Sequence, residues 1–142
     1  MAKRKGKART PARPTEVPTC NCALLCDDVL ISQGRGKHSL EGVIGAIAVT
    51  ELPAVIGGFV TYVRLSNIYR DQVVSVSLDH ADTGESVFEF EATLPSKTDP
   101  LGICTLIVPT PTFEIRSAGR YIFAVKSRGV PLAQSPINIL TP

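Results

Sequence analysis

Three cysteines fall within the run Cys20-Asn21-Cys22-Ala23-Leu24-Leu25-Cys26, and a fourth stands at Cys104. A set of four thiolates can hold Zn²⁺ tetrahedrally. Structural zinc sites favour pairs two to four residues apart on turns, and only Cys22 and Cys26 have that spacing. Read as a strand, the same run places Cys20, Cys22, Leu24 and Cys26 on one face. That arrangement suits plain packing, because cysteine is among the most buried residue types. The cysteines are also too few to form a disulfide framework in a domain this size. The expectation is buried thiols, with a zinc site, or a disulfide or redox role, as the alternatives.

The run Gly34-Arg35-Gly36-Lys37-His38-Ser39 suggests a phosphate loop. The Walker pattern requires a Gly where Ile31 stands and a hydroxyl residue where His38 stands, followed by a helix. Here a strand pattern follows, so no helix N-terminus would face a phosphate. A basic surface turn is the better reading. The two histidines, His38 and His80, both fall in expected loops, where His80 could pair with Asp79 or Asp82. No Gly-x-Ser-x-Gly motif is present, and no cysteine has a persuasive histidine partner. Asp27-Asp28 and Asp82-x-Gly84-Glu85 lack the alternating spacing of a calcium loop and read as turn chemistry. No catalytic residue, metal or cofactor is expected.

The strongest functional signal is charge segregation. Lys3, Arg4, Lys5, Lys7, Arg9 and Arg13 give residues 1–14 a charge of +6 with no acid among them. The other nine of the 15 basic residues meet all 13 acids, so residues 15–142 carry −4. Such an arm matches a flexible contact to nucleic-acid phosphates, weakening steeply with salt. No aromatic residue is interleaved, so base stacking is not expected. The arm has little apolar surface to offset its ordering entropy, and disorder is expected over residues 1–18. A solvated tail is the plain alternative.

The elements that would carry these residues read as β-strands. The chain of 142 residues is 44% apolar, with 11 Gly and 11 Pro, no Trp and no long helix-forming stretch. Val74, Val76 and Leu78 alternate with Ser75, Ser77 and Asp79, and Phe88 and Phe90 alternate with Val87, Glu89 and Glu91. Between them, residues 80–85 have turn chemistry, which predicts a hairpin with one buried face. Strands are also expected over residues 20–26, 40–50, 59–66, 103–108, 121–126 and 137–140, with a bulge or break at Asp27-Asp28. Residues 94–102 would cross between sheets. Pro131 and Pro136 suit an edge strand, and the Ile137 strand is a candidate exposed edge. The apolar run Val43 to Val63 holds Glu51 and Pro53 at its middle, so two strands explain it better than a membrane span.

The segment Gly119-Arg120-Tyr121, Phe123, Val125, Gly129 and Ser135-Pro136-Ile137 is similar to the closing hairpin of immunoglobulin-like domains of the filamin type. From Cys26-Asp27 through Leu52-Pro53 to Gly119-x-Tyr121, residues 22–140 resemble an uncharacterised bacterial family of short all-β proteins. That resemblance implies no activity. The expected architecture is an immunoglobulin-like antiparallel β-sandwich of seven to eight strands over residues 19–142, preceded by the basic arm of residues 1–18.

Three functional classes follow. The first is a non-catalytic binding or scaffolding module with a protein partner. The second is a nucleic-acid-associated protein using residues 1–14. An enzyme is the third, and no set of residues here supports it. With no signal-type segment and no span, a cytoplasmic location without membrane contact is expected.

Overall fold

The computed structural model describes residues 17–32, 34, 36–95 and 102–142. The cations Lys3, Arg4, Lys5, Lys7, Arg9 and Arg13 lie outside the described residues, as does Arg35. Among the described residues there are strands and no helix: β1 (Thr19–Ser32), β2 (Lys37–Val43), β3 (Ala46–Ala48), β4 (Ala54–Ile56), β5 (Val60–Ser66), β6 (Gln72–His80), β7 (Ser86–Leu94), β8 (Cys104–Pro109), β9 (Phe113–Ile115), β10 (Gly119–Ser127) and β11 (Val130–Leu140). The chain is therefore all-β. Among the described residues there are eleven strands rather than seven or eight, and β3, β4 and β9 are three residues each. So short a segment has too few positions to show a period of two.

The strands form a four-stranded sheet in the order β2-β1-β5-β8, a five-stranded sheet in the order β3-β11-β10-β6-β7, and a β4-β9 ribbon. All three contribute to one core. Leu25, Val63 and Leu65 enter it from the first sheet, and Ile56, Phe113 and Ile115 from the ribbon. Val74, Val76, Leu78, Phe123, Val125, Ile137 and Ile139 enter it from the second sheet. Each such side chain contributes about 1.5–3 kcal/mol of burial free energy relative to exposure.

The hairpin of β6 and β7 forms as its alternation predicts, with Val76 opposite Phe90 and Leu78 opposite Phe88. The expected single strand over residues 40–50 is instead two strands in different sheets. β2 pairs with β1, whereas β3 runs parallel to β11. The transfer takes two residues: Ile44 N–H donates to the Leu25 carbonyl at 2.8 Å, and Asn138 N–H donates to the Gly45 carbonyl at 3.1 Å. β3 also covers the edge of β11 at Asn138, Ile139 and Leu140, so the Ile137 strand is less open than expected. Pro131 and Pro136 lie on the part of β11 that β3 leaves uncovered.

The register shift expected at Asp27-Asp28 occurs elsewhere. Across those residues β1 keeps its register on β2, with Cys26 opposite Val43 and Asp28 opposite Glu41. The irregularity there is shared by both strands. Gly42 has a φ of 64°, and the Asp27 carboxylate occupies the space that a Cβ on Gly42 would need. The shift against β5 lies between Cys20 and Cys22.

Candidate functional site

That bulge at Asn21 decides the geometry of the thiols. Cys20 packs on the core side with Ala23, whereas Cys22 has no place in that cluster. The expected common face of Cys20, Cys22, Leu24 and Cys26 is therefore broken, because the extra residue reverses the parity at Cys20. Cys20 and Cys104 both stand opposite Leu65, one on each side of it. Strands two apart are separated by roughly 9.5 Å, beyond the reach of a disulfide. Cys22 and Cys26 are four residues apart on an extended strand, roughly 13 Å, which is too far for one tetrahedral ion. All four cysteines are free thiols.

Two of the thiols have identified partners. The Cys26 thiol donates to the Val60 carbonyl at 3.5 Å, and the Cys20 thiol donates to the Cys22 carbonyl at 3.5 Å. Burial pushes both above the ordinary thiol value. The carboxylates of Asp27 and Asp28 add to the rise at Cys26. Reactive cysteines are held below that value by cations or helix ends. These two are held in the opposite, inert direction.

Neither histidine lies in a loop. His38 is the second residue of β2, and its Nδ1 lies 2.9 Å from the Tyr62 hydroxyl. The ring meets Tyr62 edge-on with centroids 5.6 Å apart, which helps to bury a tyrosine that points away from the core. His80 ends β6. Its Nδ1 accepts from the backbone N–H of Asp82 at 3.2 Å and of Thr83 at 3.3 Å. It thus caps the hairpin turn, and neither Asp79 nor Asp82 supplies it with a carboxylate contact. The Asp79 carboxylate instead accepts from Ser77 and Ser86 within the hairpin. Among the described residues, no group of three His, Cys, Asp or Glu side chains is placed to hold a metal ion.

The turn, β9 and the start of β10 enclose a groove of about 330 Å³. Its polar groups are largely engaged with one another. The Tyr121 hydroxyl donates to the Ser117 carbonyl at 2.7 Å. Arg116 donates to Glu114 at 2.8 Å, and that bond holds the exposed guanidinium above its ordinary value. A larger groove of about 550 Å³ crosses the outer face of the second sheet and is lined by Asp71, Glu89, Glu91, Lys126 and Arg128.

β8 closes the first sheet, and β5 is the strand paired with it among the described residues. Cys104, Thr105, Leu106, Ile107 and Val108 carry no charge, and all are partly exposed. The sequence signal was this uncharged, β-branched run ending at a proline. It marks a strand, but not which strand stands at the edge of a sheet.

An all-β domain whose described strands share one core is the class that this geometry defines. The chain belongs to the DUF6941 family, a family of unknown function, whose model matches residues 21–140. That span covers nearly the whole described body and the stretch assigned by resemblance from sequence. No curated protein matches the chain. No helix among the described residues is long and apolar enough to cross a membrane, and the run Val43 to Val63 is divided among strands.

Proposed function

We propose that this protein is a non-catalytic binding or scaffolding module that contacts a protein partner through its strand edges. The observation that carries the reading is β8, a sheet-closing strand with no charged side chain. Open edges present unpaired N–H and C=O groups to an added strand. An immunoglobulin-like sandwich is the scaffold that best accommodates them. The Tyr121-to-Ser117 bond supports that scaffold, because a tyrosine bonded back to the preceding corner is a hallmark of such domains. The free thiols support a cytoplasmic location.

The test is crosslinking of the full chain in cells, followed by mapping of the crosslinked residues. Partner crosslinks should cluster beside β8 and persist in a chain starting at Val17. Crosslinks confined to residues 1–16 would overturn the reading.

Charge segregation favours a second reading, in which Lys3, Arg4, Lys5, Lys7, Arg9 and Arg13 contact nucleic-acid phosphates without sequence preference. Its test is binding of duplex DNA and single-stranded RNA at about 50 and 200 mM salt. Affinity should fall steeply with salt and vanish in the chain starting at Val17. Salt-insensitive binding, or binding that survives the truncation, would exclude it.

A further inference from the structure

We infer that the edge of β8 is a homodimer interface, where a second copy of this chain adds its own β8 antiparallel and joins the two four-stranded sheets. The inference names one partner for the module proposed above, and it rests on that reading's premise that the edge is available for pairing.

The direction of the backbone groups supports this assignment. Thr110 N–H donates to the Phe59 carbonyl at 2.9 Å. This bond continues the register in which Val108 faces Thr61 and Leu106 faces Val63. In an antiparallel ladder, alternate residues aim both backbone groups at the same neighbour. Val108, Leu106 and Cys104 therefore spend theirs on β5, while Thr105 and Ile107 aim theirs away from it. The nitrogen of Pro109 falls on that outward side, where it removes no bond to β5 and limits the pairing length at this end.

This edge is self-complementary. In a two-fold arrangement centred on Leu106, Thr105 stands opposite Ile107 of the partner subunit, and Ile107 stands opposite Thr105 of the partner subunit. Each such pair exchanges both of its backbone bonds, so the outward groups of both residues are satisfied. On the core side, Leu106 meets its own copy, flanked by Cys104 beside Val108 of the partner subunit. No charge is brought opposite a like charge.

The other edges are guarded. β7 carries Glu89 and Glu91, which self-pairing would bring together. β2 carries Lys37 and Glu41, β3 is only three residues long, and the uncovered part of β11 holds Pro131 and Pro136. Charge, shortness and proline are the usual protections of an edge, and β8 has none of them from Cys104 to Val108.

The experiment is sedimentation equilibrium of the full-length chain under reducing conditions, paired with cysteine crosslinking. The expected mass is twice the 15.2 kDa of the chain. Thr105→Lys puts a charge on the seam and should weaken the dimer about tenfold or more, with the circular dichroism spectrum unchanged. Leu106 lies on the proposed axis as a non-hydrogen-bonded pair, with Cα atoms about 4.5 Å apart, within disulfide range. Leu106→Cys should therefore give a disulfide-linked dimer on mild oxidation, whereas the parent chain and Glu89→Cys should not.

If Thr105→Lys fails to fold, the Leu106→Cys crosslink decides the matter. A monomer at about 100 µM, far above the concentrations at which specific interfaces form, would overturn the proposal. So would a dimer unaffected by Thr105→Lys, or crosslinking through Glu89→Cys rather than Leu106→Cys. If the chain is monomeric but partner crosslinks still map beside β8, this proposal fails while the module reading stands.

Discussion

The hydroxyls of Thr61 and Thr110 lie 2.9 Å apart in the interior, and either can donate to the other. Both side chains are buried, on β5 and just beyond β8. Each removes the other's desolvation cost. Thr61→Val keeps the volume but leaves the Thr110 hydroxyl without this partner, and should destabilise by about 1–3 kcal/mol. The double variant Thr61→Val/Thr110→Val removes both polar groups and should recover much of that loss. Urea unfolding of the single and double variants measures the difference. A double variant whose loss equals the sum of the two single losses would show that the pair is not coupled.

A second hydroxyl ties a corner of the second sheet. Tyr121 is buried on β10, with its ring against His80 at 4.9 Å and its hydroxyl on the Ser117 carbonyl. Tyr121→Phe keeps the ring and removes the bond, so the expected cost is about 1–1.5 kcal/mol. Tyr121→Ala removes the ring as well and should cost about 3–5 kcal/mol, as large core truncations do. A Phe variant as unstable as the Ala variant would show that the hydroxyl, not the ring, dominates.

Two glycines have similar backbone angles and different surroundings. Gly42 has a φ of 64° and Gly102 a φ of 52°. A Cβ on Gly42 would meet the Asp27 side chain, which is exposed and free to swing. On Gly102 it would come within 2.7 Å of the Ile68 carbonyl oxygen, which is backbone. Gly42→Ala should cost about 1–2 kcal/mol from its backbone angle. Gly102→Ala adds a clash that no side-chain rotation relieves, and its cost should be clearly the larger of the two. Thermal melts of the two variants, compared with the parent chain, order them directly.

Much of this architecture was legible where the pattern was long. The alternation around Val74, Val76 and Leu78 specified a half-buried hairpin because a strand of nine residues repeats its period several times. The prolines at 131 and 136 suggest an edge strand; β11 instead lies between β3 and β10, and the prolines fall on the stretch that β3 leaves uncovered. What stayed illegible was non-local. The break at Ile44-Gly45 depends on Leu25 and Asn138, which lie far away in sequence. The bulge at Asn21 depends on the register against β5. The glycines beside His38 suggest a loop, while the partner that holds it in a strand, Tyr62, lies 24 positions away. The open edge at β8 is illegible for the same reason, since strand order in a sheet is set by the whole chain.

The raised values at Cys20 and Cys26 give the protein a defined alkaline weakness. In the folded chain both thiols keep their protons above the ordinary thiol range, mainly because of burial. Once unfolded, the chain releases them near the ordinary value of about 8.5. Below that value both states hold the protons, and the thiols contribute no pH dependence. As pH rises above it, the unfolded chain binds fewer protons than the folded one, so stability falls until the folded values are passed. Urea midpoints should therefore be level from about pH 7 to 8 as far as these groups are concerned, and decline above about pH 9. Replacing Cys20 and Cys26 together by Ala should flatten the decline while lowering the plateau, because Cys26 fills buried space. In the folded parent chain, iodoacetamide should label Cys26 more slowly than a free thiol at neutral pH, and denaturant should remove the difference. Rapid labelling of native Cys26 would show that the thiol is neither buried nor held protonated.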